Sequence, residues 1–212
     1  MSTTTYSSNN VLNAVAAAAK VLDERKEEVN RLNVFPVPDG DTGTNMSLTI
    51  QSVVSNVANL PIGAPGADIR KAITTGALMG ARGNSGVITS QILRGLCEGS
   101  QSFDEFDVES IAASFDRARE VAFQAVRKPV EGTILTVLRD SAAAAKVAVE
   151  QELSIPEALD AIVAEAYASV QRTPDLLPVL KEHGVVDAGG FGLAILFDAF
   201  TAALLGRSGT MV

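Results

Sequence analysis

The sequence lacks tryptophan, contains one cysteine and one histidine, and takes only 5% of its 212 residues from the aromatic types. A single cysteine, Cys97, excludes an internal disulfide and is typical of a reducing compartment, so we expect a cytoplasmic protein. No apolar run approaches the ~20 residues of a membrane-spanning helix. The polar N-terminal segment has no signal-peptide core. These absences exclude disulfide-stabilised and membrane-spanning classes.

Basic clusters are also lacking, since no run of Lys or Arg is longer than a pair and the net charge is −8. Nucleic acids and anionic membranes are bound by basic patches, so neither is expected as a partner. A phosphate group would have to be held locally, by backbone amides or by a metal ion. What is abundant is apolar: 47% of the residues, mainly Ala, Val and Leu. This composition favours one domain of helices packed closely through small side chains.

Apolar residues recur with a period near 3.6, which predicts helices, and no alternating strand pattern is present. We predict an all-α fold, an up-and-down antiparallel bundle or barrel of about eight helices. Residues 1–212 are expected to form a single domain with a core over 8–206. The predicted helices lie near residues 8–31, 45–58, 67–81, 85–98, 108–127, 133–150, 155–172 and 189–206, with a short turn or helix at 175–182.

Four connections are unusually rich in glycine and polar residues. They precede the second, fourth, sixth and eighth helices of the predicted bundle, one connection before each. In an up-and-down bundle these helices all begin at the same end, so the four loops would converge on one rim. Helix N-termini offer free N–H groups and a positive dipole end, and glycine lets a phosphate approach the backbone. Several such helix ends, beside two carboxylates in the first loop, predict a site for a metal-bound polyphosphate at this rim. The loops are residues 39–45, 80–86, 128–133 and 187–192.

The first loop belongs to the run NVFPVPDGDTGTNM, which places Asp39 and Asp41 in a turn stiffened by glycine and proline. Two carboxylates separated by one glycine can direct oxygens at one point, and Mg²⁺ takes one or two protein carboxylates plus phosphate and water oxygens. The alternative is a turn whose aspartate caps the next helix. A calcium-binding EF-hand is excluded because its twelfth-position glutamate would be Ile50.

Four segments in order closely resemble the ATP-binding domain of the dihydroxyacetone kinase L-subunit family: LNVFPVPDGDTGTNM, GALMGARGNSGVITSQILRG, EGTILTVLRD and GVVDAGGFGL. Within that family the chain is most similar to the N-terminal kinase domain of bacterial fatty acid kinases. The resemblance implies a barrel of eight antiparallel helices with the nucleotide at one rim. It also implies that the chain is the N-terminal part of a longer protein, with a stand-alone relative as the alternative.

The resemblance implies two Mg²⁺ ions between the phosphates of ATP or ADP. Asp39 and Asp41 then act as metal ligands and catalytic residues, with Asn33 nearest to the third ligand position. Thr42 stands where dihydroxyacetone kinases have a histidine, which favours the fatty-acid branch. Arg82 is a charge clamp on the transferred phosphate or a surface partner of a helix end. The nucleotide contacts implied are Thr44, Asn45, Gly83, Asn84, Ser85, Gly86, Gly132, Thr133, Lys181, Asp187, Gly189 and Gly190.

The resemblance implies phosphoryl transfer from ATP to a fatty acid carboxylate, with the lipid delivered by a separate fatty-acid-binding carrier protein. Such an acceptor is already ionised and needs no general base, and we interpret His183 as a helix-end residue that contacts free carbonyls. Two alternatives stay open: an ADP-binding L-type subunit of dihydroxyacetone kinase, and a non-catalytic nucleotide-binding regulatory module. A homodimer formed through the rest of a longer chain is also left open.

Overall fold

The computed structural model describes residues 6–100 and 106–211, and within these ranges it contains nine α-helices and no β-strand. The predicted all-α class is confirmed. Eight of the helices are long and one, α8, has six residues. The helices are α1 Ser8–Arg31, α2 Thr42–Ala58, α3 Gly66–Gly80, α4 Gly83–Gly99, α5 Val108–Ala125, α6 Ile134–Glu150, α7 Ile155–Leu176, α8 Pro178–His183 and α9 Ala188–Leu204.

The long helices form a closed antiparallel ring. Each of α1 to α7 packs against the next helix along the chain, and α9 closes the ring by packing against both α7 and α1. α9 is buried on almost every side because its residues are apolar around the whole helix, including Leu193, Ile195 and Phe197. Because neighbouring long helices run in opposite directions, α2, α4, α6 and α9 begin at the same end of the ring, which we call the loop end.

Three helices extend two or more residues beyond their predicted limits. α2 begins at Thr42 instead of residue 45, and α4 begins at Gly83 instead of residue 85. α7 continues through Pro174 to Leu176, although proline removes a backbone donor. The carbonyl that Pro174 leaves without its N–H partner belongs to Val170, and it instead accepts a hydrogen bond of 2.6 Å from the Thr173 hydroxyl. A side chain therefore replaces the missing backbone bond.

The interior of the ring contains an apolar cavity of about 160 Å³ that extends from its middle toward the end opposite the loop end. Cys97 lies in its wall, buried as predicted, and burial raises the pKa of its thiol to about 11. The cavity is separate from the polar loops. Its lining includes Val15, Ile92, Leu96, Phe115, Leu159 and Phe197.

No helix within residues 6–100 and 106–211 has both the length and the hydropathy required to cross a bilayer.

Candidate functional site

The four glycine-rich loops meet at the loop end, and α9 lies between the others. A Cβ placed on Gly192 would lie 2.8 Å from the Met46 sulfur, so the first turns of α9 and α2 are in direct contact. On its other side α9 meets α6, where the Asp187 carboxylate accepts a hydrogen bond from the backbone N–H of Ile134. The Ser85 hydroxyl, in the first turn of α4, lies 3.4 Å from the Thr42 carbonyl oxygen. The N-termini of α2, α4, α6 and α9 are therefore neighbours.

The turn that carries Asp39 and Asp41, which we call the carboxylate turn, lies against the end of α1. Asp39 is exposed, and its Oδ1 accepts a hydrogen bond of 2.8 Å from the Asn33 side-chain amide. Asp41 is the N-cap residue of α2, but its side chain makes no capping hydrogen bond. The alternative prediction, that the carboxylate of this aspartate caps the next helix, is therefore wrong.

Asn33 is only 7% exposed, yet its side-chain oxygen Oδ1 has no hydrogen-bond partner. A buried oxygen without a partner costs free energy, so such an atom requires an explanation. A cation bound by this oxygen would supply the missing partner, because Mg²⁺ binds oxygen ligands. Across the described ranges no three His, Cys, Asp or Glu side chains form a metal-binding group. Amide, phosphate and water oxygens would have to complete the coordination.

The loop before α4 approaches α2 closely. Gly83 has a positive φ of 57°, and a Cβ at this position would lie 2.3 Å from the Asn45 side-chain nitrogen. Only glycine fits this contact. Asn45 is thereby held beside the first turn of α4, which contains Asn84, Ser85 and Gly86. The free N–H groups of α2 and α4 lie close to each other and form a site suited to an anion.

The other half of the loop end consists of the loops before α6 and α9. The Gly132 N–H donates to the Thr136 hydroxyl at 2.9 Å, and the Thr133 hydroxyl donates to the Val130 carbonyl at 2.8 Å. Gly189 lies against α6, since a Cβ there would be 3.2 Å from the Ile134 Cβ. The implied nucleotide contacts Gly132, Thr133, Asp187 and Gly189 are therefore brought together in space.

The two implied basic contacts are engaged elsewhere. The Arg82 guanidinium is exposed and donates to the backbone carbonyl of Ala81 at 3.0 Å. Lys181, on α8, is exposed and pairs with Asp175 at 3.3 Å. Either side chain would have to leave its partner to reach a phosphate. His183 interacts with the Val179 carbonyl at 2.9 Å, as predicted for a helix-end histidine.

Sequence reasoning missed two residues that support this end of the molecule. Asn30 hydrogen-bonds to Thr44, and the Thr173 hydroxyl accepts a bond from the Asp187 N–H at 3.0 Å. A signal was available for Asn30. It lies one turn before Asn33 at the end of α1, and asparagine is a poor helix former that is favoured where its amide can bond to the backbone.

Comparison with known proteins gives consistent relationships. The chain is 44% identical over 208 residues to protein YloV of Bacillus subtilis, and 45% identical over 194 residues to an uncharacterized protein of Staphylococcus haemolyticus. These matches span 98% and 92% of this chain but only 37% and 35% of the relatives. The chain thus spans little more than a third of the length of these relatives.

Among solved structures, the dihydroxyacetone kinase from C. freundii in complex with AMP-PNP and Mg²⁺ superimposes with a TM-score of 0.67 at 20% identity, over 95% of this chain and 36% of that one. The native form of that kinase gives a TM-score of 0.62 at 19% identity, over 90% and 34%. This likeness shows a common fold. The DAK2 domain model matches residues 36–202. This range includes the carboxylate turn and all four glycine-rich loops. The chain therefore belongs to the DAK2 domain family.

Proposed function

We propose that this domain binds ATP with two Mg²⁺ ions and transfers a phosphoryl group to the carboxylate of a fatty acid, which gives an acyl phosphate. The observation that supports the proposal most directly is the buried, unpartnered Oδ1 of Asn33, a residue whose amide nitrogen donates to the Asp39 carboxylate in the turn that also carries Asp41. It lies at the end of the ring where four helix N-termini meet. The membership of the DAK2 family and the fold shared with a nucleotide-bound kinase agree with it.

Two groups of residues divide the work in this proposal. The N–H groups in the first turns of α2 and α4 that have no partner within the protein bind phosphate oxygens, with Asn45 and Ser85 beside them. Asp39 and Asp41, together with Asn33, hold the cations. A bound Mg²⁺ neutralises charge on the phosphates and orients them for transfer.

A carboxylate is proposed as the phosphoryl acceptor because no histidine is positioned at the loop end to act as a general base. The only histidine, His183, lies on α8 and interacts with a backbone carbonyl, so it is not positioned as a general base. A carboxylate acceptor is ionised at neutral pH and needs none. The loop end is polar and the apolar cavity extends toward the opposite end, so a separate fatty-acid-binding protein would present the lipid. The chain spans only about a third of its relatives, so lipid phosphorylation is expected to need the remaining part of the longer protein.

Calorimetric titration of ATP in Mg²⁺ and again in EDTA tests the nucleotide site. We expect binding that requires the metal, and we expect Asp41→Asn to weaken it by about tenfold or more because a charged ligand is lost. Asp116→Asn is the matched control, since Asp116 is exposed on α5 and its carboxylate pairs with Arg119, away from the loop end. Equal binding by wild type and Asp41→Asn would contradict the metal assignment.

Trapping of acyl phosphate with hydroxylamine tests the acceptor. The longer relative from Bacillus subtilis, given ATP and a fatty-acid-loaded carrier, should form the acyl hydroxamate, whereas the same protein without a carrier should form little. Phosphorylation of dihydroxyacetone instead would favour the L-type kinase subunit. A tightly retained ADP that does not exchange with ATP would favour a nucleotide-binding module without kinase activity.

A further inference from the structure

The N-terminus of α2 is capped differently from three other helices of the molecule. Ser7, Asp107 and Asp187 each precede a helix and accept a hydrogen bond from a backbone N–H in its first turn. This is the usual role of a polar N-cap residue. Asp41 occupies the same position before α2 but makes no such bond. Its backbone, with φ −117° and ψ 0°, is outside the extended conformation that the other three adopt.

A side chain from another helix supplies the missing cap. The Oδ1 atom of Asn30, on α1, accepts a hydrogen bond of 3.1 Å from the backbone N–H of Thr44, the third residue of α2. The Nδ2 atom of Asn30 donates to the Thr44 hydroxyl at 3.0 Å. This N–H is one that an N-cap side chain ordinarily satisfies. Asn30 therefore performs the function that Asp41 would have in an isolated helix.

Because Asn30 caps α2, the negative charge of Asp41 is not used for capping. A carboxylate that caps its own helix is turned toward the N–H groups of the first turn and interacts with the helix dipole, which reduces its availability to a cation. Asn30 satisfies the same N–H with a neutral amide. Just beyond the end of α1, the Asn33 side-chain amide donates to Asp39 at 2.8 Å. Two asparagines at the end of α1 thus hold both ends of the carboxylate turn.

We propose that Asn30 is a positioning residue for the metal: it caps α2 in place of Asp41 and so keeps the Asp41 carboxylate free for the cation that accompanies the nucleotide. This inference rests on the proposed function, since it assumes that the turn binds a metal–nucleotide complex. It assigns to Asn30 no contact with substrate. Without Asn30, the Thr44 N–H loses its acceptor, and Asp41 either turns inward to cap α2 or lies at the end of a frayed helix. Both results displace the carboxylate.

Binding of Mn²⁺ in the presence of saturating ADP, followed by electron paramagnetic resonance, tests the proposal, with thermal unfolding measured for every variant. We expect Asn30→Ala to weaken Mn²⁺ binding by about 10- to 100-fold, the loss typical when a group that orients a metal ligand is removed. Asn30→Asp retains an oxygen that can accept the Thr44 N–H, so it should bind Mn²⁺ within about threefold of wild type. Asn56→Ala is the control, because Asn56 bonds to the Ser52 carbonyl in the later part of α2.

A double-mutant comparison separates positioning from general stabilisation. If Asn30 acts through Asp41, then Asn30→Ala should cause no further loss in an Asp41→Asn background. Wild-type affinity in Asn30→Ala would overturn the proposal and leave the proposed function intact. A loss that Asn30→Asp does not restore, or that persists in the Asp41→Asn background, would also overturn it. Failure of the wild-type protein to bind Mn²⁺ with ADP would instead overturn the proposed function, and this inference with it.

Discussion

At the scale of single residues, Asp187 joins two helices. Its carboxylate accepts a hydrogen bond of 2.7 Å from the Gly190 N–H of its own helix and another from the Ile134 N–H at the start of α6. The side chain is 5% exposed and is fully engaged with the protein. Any contact of this residue with a nucleotide would therefore have to come from its backbone. Burial raises the pKa of this carboxyl to about 6, and the two N–H bonds only partly oppose that effect.

Asp187 should give the protein a component of stability that falls as the pH rises. Because its pKa is raised from 3.8 to about 6, the folded state binds more protons than the unfolded state between these values. The free energy of unfolding should therefore decrease by up to about 3 kcal/mol from pH 4 to pH 7, at 1.36 kcal/mol per pKa unit. Urea unfolding of wild type and Asp187→Asn across this range isolates the effect, since an amide does not ionise. A difference between the two proteins that is constant with pH would contradict this prediction.

At the scale of elements, α4 and α5 pack with their backbones in contact. A Cβ on Gly95 would lie 2.4 Å from the Ala118 Cα, and one on Gly99 would lie 2.5 Å from the Ser114 Cα. The two glycines are four residues apart and therefore lie on one face of α4. Small side chains on both helices permit this approach, as the composition predicted.

Gly95→Ala should destabilise the protein even though alanine is the better helix former. The gain in helix propensity is about 1 kcal/mol, whereas an added methyl group in a filled contact costs roughly 1–3 kcal/mol, and the atom it would meet is backbone. We expect a net loss of up to about 2 kcal/mol, measured by urea unfolding. Gly66→Ala is the control, because its Cβ would find only the Arg70 side chain at 3.7 Å. A neutral Gly95→Ala would show that α4 and α5 can separate at little cost.

At the scale of the whole molecule, the candidate site depends on the closed ring. Its parts come from residues 33–45, 83–86, 132–134 and 187–190, which only the complete fold brings together. An unfolded chain has two nearby carboxylates but no assembled helix N-termini. The metal–nucleotide complex should therefore bind the folded state alone.

Mg²⁺ with ADP should accordingly raise the melting temperature. At 100 times its Kd a ligand specific for the folded state contributes about 2.7 kcal/mol, and for a chain of this length each kcal/mol corresponds to about 2–4 °C. We expect a rise of about 5–10 °C, measured by scanning calorimetry. The shift should disappear in EDTA and be reduced in Asp41→Asn. An equal shift in EDTA would mean that the nucleotide binds without the metal.

The sequence determined the helical class, the order of the long helices and the positions of the carboxylate turn and the glycine-rich loops. These features follow from local patterns, since a 3.6-residue period and clusters of glycine, proline and aspartate act over a few neighbouring residues. Even the errors were local: the starts of α2 and α4 were placed two to three residues late.

Only the tertiary structure decided how the side chains of the site are used. The sequence left Asp41 open as a helix cap or a metal ligand, and the structure removed the first use because Asn30 from α1 satisfies the N–H of Thr44. Likewise Asp187 is committed to Ile134, and Asn33 retains a buried oxygen without a partner. The uses of Asp41 and Asp187 depend on hydrogen bonds across helices, which form only when packing fixes one helix end against another. A local pattern cannot specify such bonds, because their partners come from distant parts of the chain.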